Sequence, residues 1–229
     1  MNYLLKTTLI FNLMLFFFYE SATAAPIVLN LDSLPGMSFW CCSAIPSANQ
    51  LSTQFLPTDG VSFTSGSSYA AIVDLGLGHA TTGTNGIGGS TPTGILTYDR
   101  ENPITATFFS PSNPSVNAVT NFVSLRGDNY GSGLNVTLNA YGLTGNLLAS
   151  YTTVDVGGET LSISVQGIHS VQFLGTHDNG GVVIDEFTFN KVTSTPIPAA
   201  AIFVAPALAG VFGISRRKRS KTGQGVSNS

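Results

Sequence analysis

The 229-residue chain is short of charge. Asp, Glu, Lys and Arg make up 9% of it, against roughly 25% in an ordinary soluble domain. Bases are scarcest. Between Ala25 and Thr193 only Arg100, Arg126 and Lys191 stand against eleven acids, a charge of about −8 that the basic C-terminal end masks in the whole-chain value of −3. A stretch so acidic excludes nucleic acid as a partner, because a phosphate backbone needs a basic footprint. Cysteine is confined to the neighbours Cys41 and Cys42. An adjacent pair cannot staple distant strands, which leaves a vicinal disulfide, an intermolecular bridge or two free thiols. The three histidines, His79, His169 and His177, lie far apart and have no second His or Cys at metal-ligand spacing, so each is expected to be a surface or loop residue. There is no Gly-x-Ser-x-Gly, no Gly-x-x-x-x-Gly-Lys-Ser/Thr and no His-Glu-x-x-His. The Gly-rich segment Gly76–Gly89 is followed by no strand–helix unit and is not a phosphate cradle.

Helical periodicity is also missing between Ala25 and Thr193. What is present is alternation of apolar and polar residues, punctuated by Gly, Pro and Asn, which predicts short strands in a sandwich. Expected strands are Ile27–Leu31, Gly60–Phe63, Tyr69–Leu75, Gly94–Tyr98, Ile104–Phe109 and Val119–Leu125. Further along come Asn135–Tyr141, Leu147–Thr153, Thr160–Val165, Ser170–Leu174 and Val182–Asn190. Leu134, Val136, Leu138 and Ala140 share one face of their strand, and Asn135, Thr137, Asn139 and Tyr141 the other. Gly142 to Asn146 then turns the chain into the next strand, with glycine where positive φ is needed. No crossover helix supports a parallel sheet.

The two ends carry the long apolar runs. Residues 1–24 read as a secretory signal helix, with Lys6 in the n-region, an apolar core, and a small-residue site at Ala22-Thr23-Ala24 for signal peptidase. At the other end, residues 194–229 have three consecutive parts. Pro196 and Pro198 form a rigid Pro-x-Pro. Residues 197–215 then run for nineteen positions without a charge, near the ~20 that a membrane-spanning helix needs. Arg216, Arg217, Lys218, Arg219 and Lys221 follow as a basic stop, which the positive-inside rule keeps cytoplasmic. Residues 25–193 are thereby expected outside the membrane.

This tail resembles the sorting signal of PEP-CTERM proteins, a family of bacterial envelope proteins. Here the motif reads Pro196-Ile197-Pro198-Ala199, with Ile at the position of the family's Glu. The resemblance implies an exosortase, a membrane protease-transpeptidase, as partner, and delivery to the cell surface or extracellular matrix. The pieces Ile104–Pro111, Val136–Ser150, Ile168–Gly175 and Val182–Asn190, with Val28–Gly36 at the front, resemble the galactose-binding-like jelly rolls found among such proteins. The expected fold is therefore all-β: a jelly-roll β-sandwich between a signal helix and a single C-terminal transmembrane helix.

Two classes of function fit. The first is a non-catalytic envelope or matrix protein, with extracellular polysaccharide as a ligand; Trp40, beside Phe39, is either a glycan platform or core. The second is a secreted polysaccharide hydrolase using Asp185/Glu186 or Asp99/Glu101. Neighbours on a regular strand point to opposite faces, so Asp185 and Glu186 would not share a cleft, and Asp99 and Glu101 read as a solvated turn. The non-enzyme class is the better fit. Alternation also places Val183, Asp185, Phe187 and Phe189 on one apolar face, where a carboxylate needs a partner. Three arrangements remain open: a pair with Arg126, a Ca²⁺ ion, or a bulge that exposes Asp185. The jelly-roll resemblance implies calcium between first and last strands, at Asp32 and Asp185.

Overall fold

The computed structural model describes residues 25–38, 44–66, 69–76, 80, 82–91, 102–129, 135–154, 160–176 and 182–195. The chain divides into two units, Met1–Thr193 and Ser194–Ser229. The signal segment, the apolar run 197–215 and the expected strand 94–98 lie outside the described residues. No helix among the described residues is long and apolar enough to cross a membrane.

The first unit is built from β1 (Pro26–Val28), β2 (Met37–Ser38), β3 (Gln50–Leu51), β4 (Val61–Ser65), β5 (Ala70–Asp74) and β6 (Asn85–Gly88). It continues with β7 (Ile104–Ser110), β8 (Asn113–Asn129), β9 (Asn135–Tyr141), β10 (Leu147–Val154), β11 (Thr160–Ile168), β12 (Ser170–Thr176) and β13 (Val182–Asn190). One antiparallel sheet has the order β10–β9–β12–β7–β4. The other runs β11–β8–β13, with β1 and β6 sharing the far edge of β13, then β5, then the short β2 and β3. The long strand β8 joins them: it starts as the hairpin partner of β7 and ends between β11 and β13.

Alternation closes the two sheets on each other. In β7, Ile104, Ala106 and Phe108 are buried while Thr105, Thr107 and Phe109 are half-buried. Val136, Leu138 and Ala140 of β9 and Val171 and Phe173 of β12 enter the same core as Leu125, Leu161, Phe187 and Phe189 from the other sheet. Rings meet across the gap, Phe63 with Phe187 at 5.3 Å and Phe108 with Phe189 at 5.1 Å between centroids. Each such pair adds about 0.5–1.5 kcal/mol to the area effect. A smaller cluster of Met37, Ile45, Ala71, Val73, Leu75 and Val183 lies apart from it.

Most expected strands recur with shifted ends, and the hairpin at 142–146 is as read: Gly145 has φ 76° and donates its N–H to Gly142 O at 2.9 Å. Three features differ. Strand β6 emerges from the Gly-rich segment, where small residues let it pack close: a Cβ on Gly86 would run into Val183. A one-turn helix, Leu56–Asp59, ends at Gly60 with φ 75°, and β2 pairs β5 in parallel over two residues. The third difference is in β13. Ile184 stands opposite Gly127, yet Phe187 stands opposite Leu125, so three steps on β13 match two on β8. This bulge at Asp185–Glu186 reverses the parity. Val183 therefore joins the smaller cluster, whereas Ile184, Phe187 and Phe189 face the main core. The single face expected for Val183, Asp185, Phe187 and Phe189 does not exist.

Candidate functional site

Two places bring chemistry-bearing residues together. The first is the loop Thr82–Asn85, which two distant carboxylates hold. Asp32, in the turn after β1, accepts the N–H groups of Thr84 and Asn85 on Oδ1 at 2.9 and 3.0 Å. Asn85 returns the contact, donating Nδ2 to Leu34 O at 2.7 Å and Leu31 O at 3.4 Å. Gly83, with φ 63°, presses so close to Asp32 that a Cβ there would overlap the carboxylate. Asp185, 1% exposed, accepts the Thr82 N–H at 3.1 Å and its hydroxyl at 3.4 Å.

The structure thus brings Asp32 and Asp185 to one loop, as the calcium reading required, but with the wrong neighbours for a cation. A calcium shell is made of oxygens, whereas the described hydrogen bonds to these carboxylates come from the N–H groups of Thr82, Thr84 and Asn85, with the Thr82 hydroxyl the one oxygen among them. No group of three His, Cys, Asp or Glu capable of holding a metal occurs among the described residues. The carboxylates fit as acceptors for a loop, and calcium does not fit this donor set. The ion-pair and exposed-bulge alternatives fare no better. Thr82, not Arg126, supplies the hydrogen bonds that the described residues give Asp185, and Arg126 Nε is buried without a hydrogen-bond partner. The bulge is there, but it leaves Asp185 buried.

The second place is the outward face of the five-stranded sheet. Its strands, VSFTS, ITATFFS, NVTLNAY, LLASYTTV and SVQFLGT, contain no charged residue. Register lays the outward side chains in rows across strands ~4.8 Å apart. One row is Ser150, Asn139, Gln172, Thr105 and Thr64; the next is Leu147, Tyr141, Ser170, Thr107 and Ser62. Hydroxyl and amide neighbours bond within the face, Ser150 to Asn139 Oδ1 at 2.7 Å and Thr137 with Thr152 at 2.9 Å. Half-buried Tyr141 and Phe109 stand at one end of it. Beside Phe109 the His169 ring meets it edge-on at 5.9 Å and shares a 2.9 Å hydrogen bond with Ala118 O. Only an N–H can donate to a carbonyl, so Nδ1 carries the proton. This chemistry can hydrogen-bond and stack on a neutral polar molecule.

Of the other residues singled out in the sequence, Trp40, Cys41, Cys42, Pro196, Ile197, Pro198, Ala199, Arg216, Arg217, Lys218 and Arg219 lie outside the described residues, as do Asp99, Glu101, His79 and His177. His169 occupies the β11–β12 turn, as expected of a loop histidine. Sequence reasoning passed over Thr82 and the outward face. The signal for the face was available: five strands in succession along the sheet lack any charge.

No protein-family model matches the chain, and no curated protein matches it. Among solved structures it is similar to the K2 cleaved adhesin domain of Lys-gingipain, at 9% identity and a TM-score of 0.41 over 72% of this chain and 99% of that one. It is also similar to the carbohydrate-binding module TmCBM61, solved with β-1,4-galactotriose, at 11% identity and TM-score 0.32 over 64% and 99%. A further likeness is to CBM28, a non-crystalline-cellulose-specific module, at 11% identity and TM-score 0.30 over 71% and 100%. What those proteins bind is a property of them, and likenesses of this size do not transfer it.

Proposed function

We propose that the chain is a non-catalytic protein of the bacterial envelope or extracellular matrix, exported by its signal and delivered by an exosortase-type tail, whose jelly-roll sandwich binds carbohydrate. The observation that carries the binding part is the charge-free outward face of β10–β9–β12–β7–β4. A neutral polyol offers many weak donors and acceptors and apolar C–H faces. Rows of Ser, Thr, Asn and Gln beside Tyr141 and Phe109 complement both features. The site needs no ionic contact, which suits a ligand without charge. The tail sequence, Pro196-Ile197-Pro198-Ala199 ahead of an apolar run and a basic stop, supports the sorting part.

The alternative of a polysaccharide hydrolase requires an acid/base carboxylate pair open to substrate. The bulge removes the strand-parity argument against Asp185 and Glu186, but Asp185 is engaged by Thr82 and shielded from solvent. This favours the binding reading. The test is a glycan array run beside a panel of hydrolase substrates. Retention of neutral glycans without turnover, weakened at least tenfold by Tyr141→Ala and by Gln172→Ala, is expected. Turnover of any of the polysaccharides would place the protein in the enzyme class instead, and absence of glycan binding would remove the ligand from the proposal.

A further inference from the structure

The two ends of the sandwich differ in charge and in what they hold. At one end His169 donates its backbone N–H to Tyr141 O at 2.8 Å, and its ring bonds Ala118 O. This joins the hairpin Gly142–Asn146 to the turn between β11 and β12. Phe109, near the end of β7, donates its N–H to Gly60 O at 2.8 Å, which brings in the one-turn helix Leu56–Asp59. A Cβ on Gly60 would meet both Val192 and Pro111, so the chain leaving β13 reaches the same end. There the Thr193 hydroxyl bonds Val119 O at 3.3 Å. Pro26 stands opposite Asn190, so β1 starts there too. Both chain ends of the sandwich leave from this one end. Charge in these segments is limited to Asp59 and Lys191, of opposite sign. In the hairpin Leu143 is 45% exposed, and Leu147 at its exit 56%. The opposite end is acidic. There β8 brings Asp128 and one base, Arg126, and the links β10–β11 and β12–β13 contain Asp155, Glu159 and Asp178.

We propose that the near-neutral end is a membrane-facing surface, seated on lipid headgroups with Leu143 and Leu147 at the interface; this rests on reading residues 197–215 as a span. The length of chain between the sandwich and the apolar run selects a lipid surface. Ser194, Thr195 and Pro196 alone separate Thr193 from Ile197. Four extended steps reach at most ~14 Å, and the headgroup layer on one side of a bilayer takes up about 5–8 Å of that. While the run spans, the end that holds Thr193 cannot stand clear of the headgroups. The composition of that end suits the position. Exposed leucines gain apolar cover at the headgroup–acyl boundary. Lys191 meets lipid phosphate with the right sign, and the carboxylates of the far end are held away from it. The strands then stand upright on the membrane, which leaves the charge-free sheet face open to a glycan.

The test places the full chain in liposomes whose lipids carry bromine on the upper part of the acyl chain, which quenches nearby tryptophan. The wild type, with Trp40 alone, gives the background. Leu143→Trp should add emission that brominated lipid quenches about twofold relative to plain lipid. Thr160→Trp, at the exposed start of β11 near the acidic end, should add emission that it does not quench. Leu147→Glu placed in the Leu143→Trp chain should remove about half of the quenching, with circular dichroism unchanged. Flotation with the liposomes reports the span separately. If the chain floats but Leu143→Trp is quenched no more than Thr160→Trp, the docking is overturned and the span stands. Quenching indifferent to Leu147→Glu overturns the docking as well. A chain that does not float removes the span, and the docking with it.

Discussion

A carboxylate exposed to 1% of its surface needs hydrogen-bond partners, and Thr82 supplies two to Asp185. Asp185→Ala strands the Thr82 N–H and should cost about 1–3 kcal/mol. Asp185→Asn keeps an acceptor oxygen and should cost less, as read by urea denaturation. Equal losses in the two variants would mean that the hydrogen bond is not what Asp185 supplies. At the other end of the loop, Gly83→Ala has two penalties. Its φ of 63° costs a side-chain residue about 1–2 kcal/mol, and its Cβ displaces the Asp32 carboxylate. Because both substitutions then break one contact, Asp32→Ala added to Gly83→Ala should lose much less than the sum of the singles. Adding Ca²⁺ or EDTA should leave the melting temperature unchanged; a rise with Ca²⁺ would show a ligand held by the native state alone. The two aspartates were legible in the sequence as a pair near the first and last strands. Their common partner was not, because Thr82–Asn85 lies about fifty residues from Asp32 and a hundred from Asp185, and nothing local marks a loop that receives carboxylates.

Strands declare themselves where one face is buried and the chain is regular. Strands β7, β9 and β12 were legible residue by residue, since each alternates core and outward side chains without interruption. The turn at Gly142–Asn146 was legible from its glycines. Strand β13 was found in full, yet its faces were assigned wrongly, because a bulge is set by pairing with β8 and Asp185–Glu186 carries no Gly or Pro to announce it. Strand β6 was hidden by glycines that serve close approach rather than a turn. The reversal of parity is open to measurement. Phe187→Ala should cost about 3–5 kcal/mol, as a large ring removed from a packed core does. Glu186→Ala should cost under about 1 kcal/mol, because its side chain is not part of that core. Comparable losses would argue that the strand is regular. On the outward face, Gln172→Ala should leave unfolding within about 0.5 kcal/mol of wild type while weakening glycan retention, which separates a binding role from a structural one.

For the whole molecule, the proposed sorting route has a simple mass signature. The mature protein should begin near Ala25 and end close to Pro196–Ala200, shortened by signal and span, as intact-mass analysis of the native product can read. Recovery of a chain that still carries residues 197–229 in the inner membrane would reduce the tail to an ordinary anchor. All-β class was legible from alternation alone. The assignment of strands to two sheets was not, because it depends on pairings across long separations, such as β4 with β7 and β8 with β13. One such pairing has a consequence in time. Strand β1 lies along the end of β13, Pro26 opposite Asn190 and Val28 opposite Thr188, with Leu29 donating its N–H to Phe187 O at 3.0 Å. The earliest residues of the domain therefore wait for its latest ones. Contacts so distant in the chain form late and slowly. In a chain that emerges from the membrane N-terminus first, the sandwich cannot finish folding until Val182–Asn190 has come out. On the proposed sorting route the Pro-x-Pro, a few residues behind in the chain, would by then have reached the membrane surface. Sorting would then begin within the same short interval in which folding is completed, so a chain stalled before β13 would offer a protease neither a finished domain nor a tail.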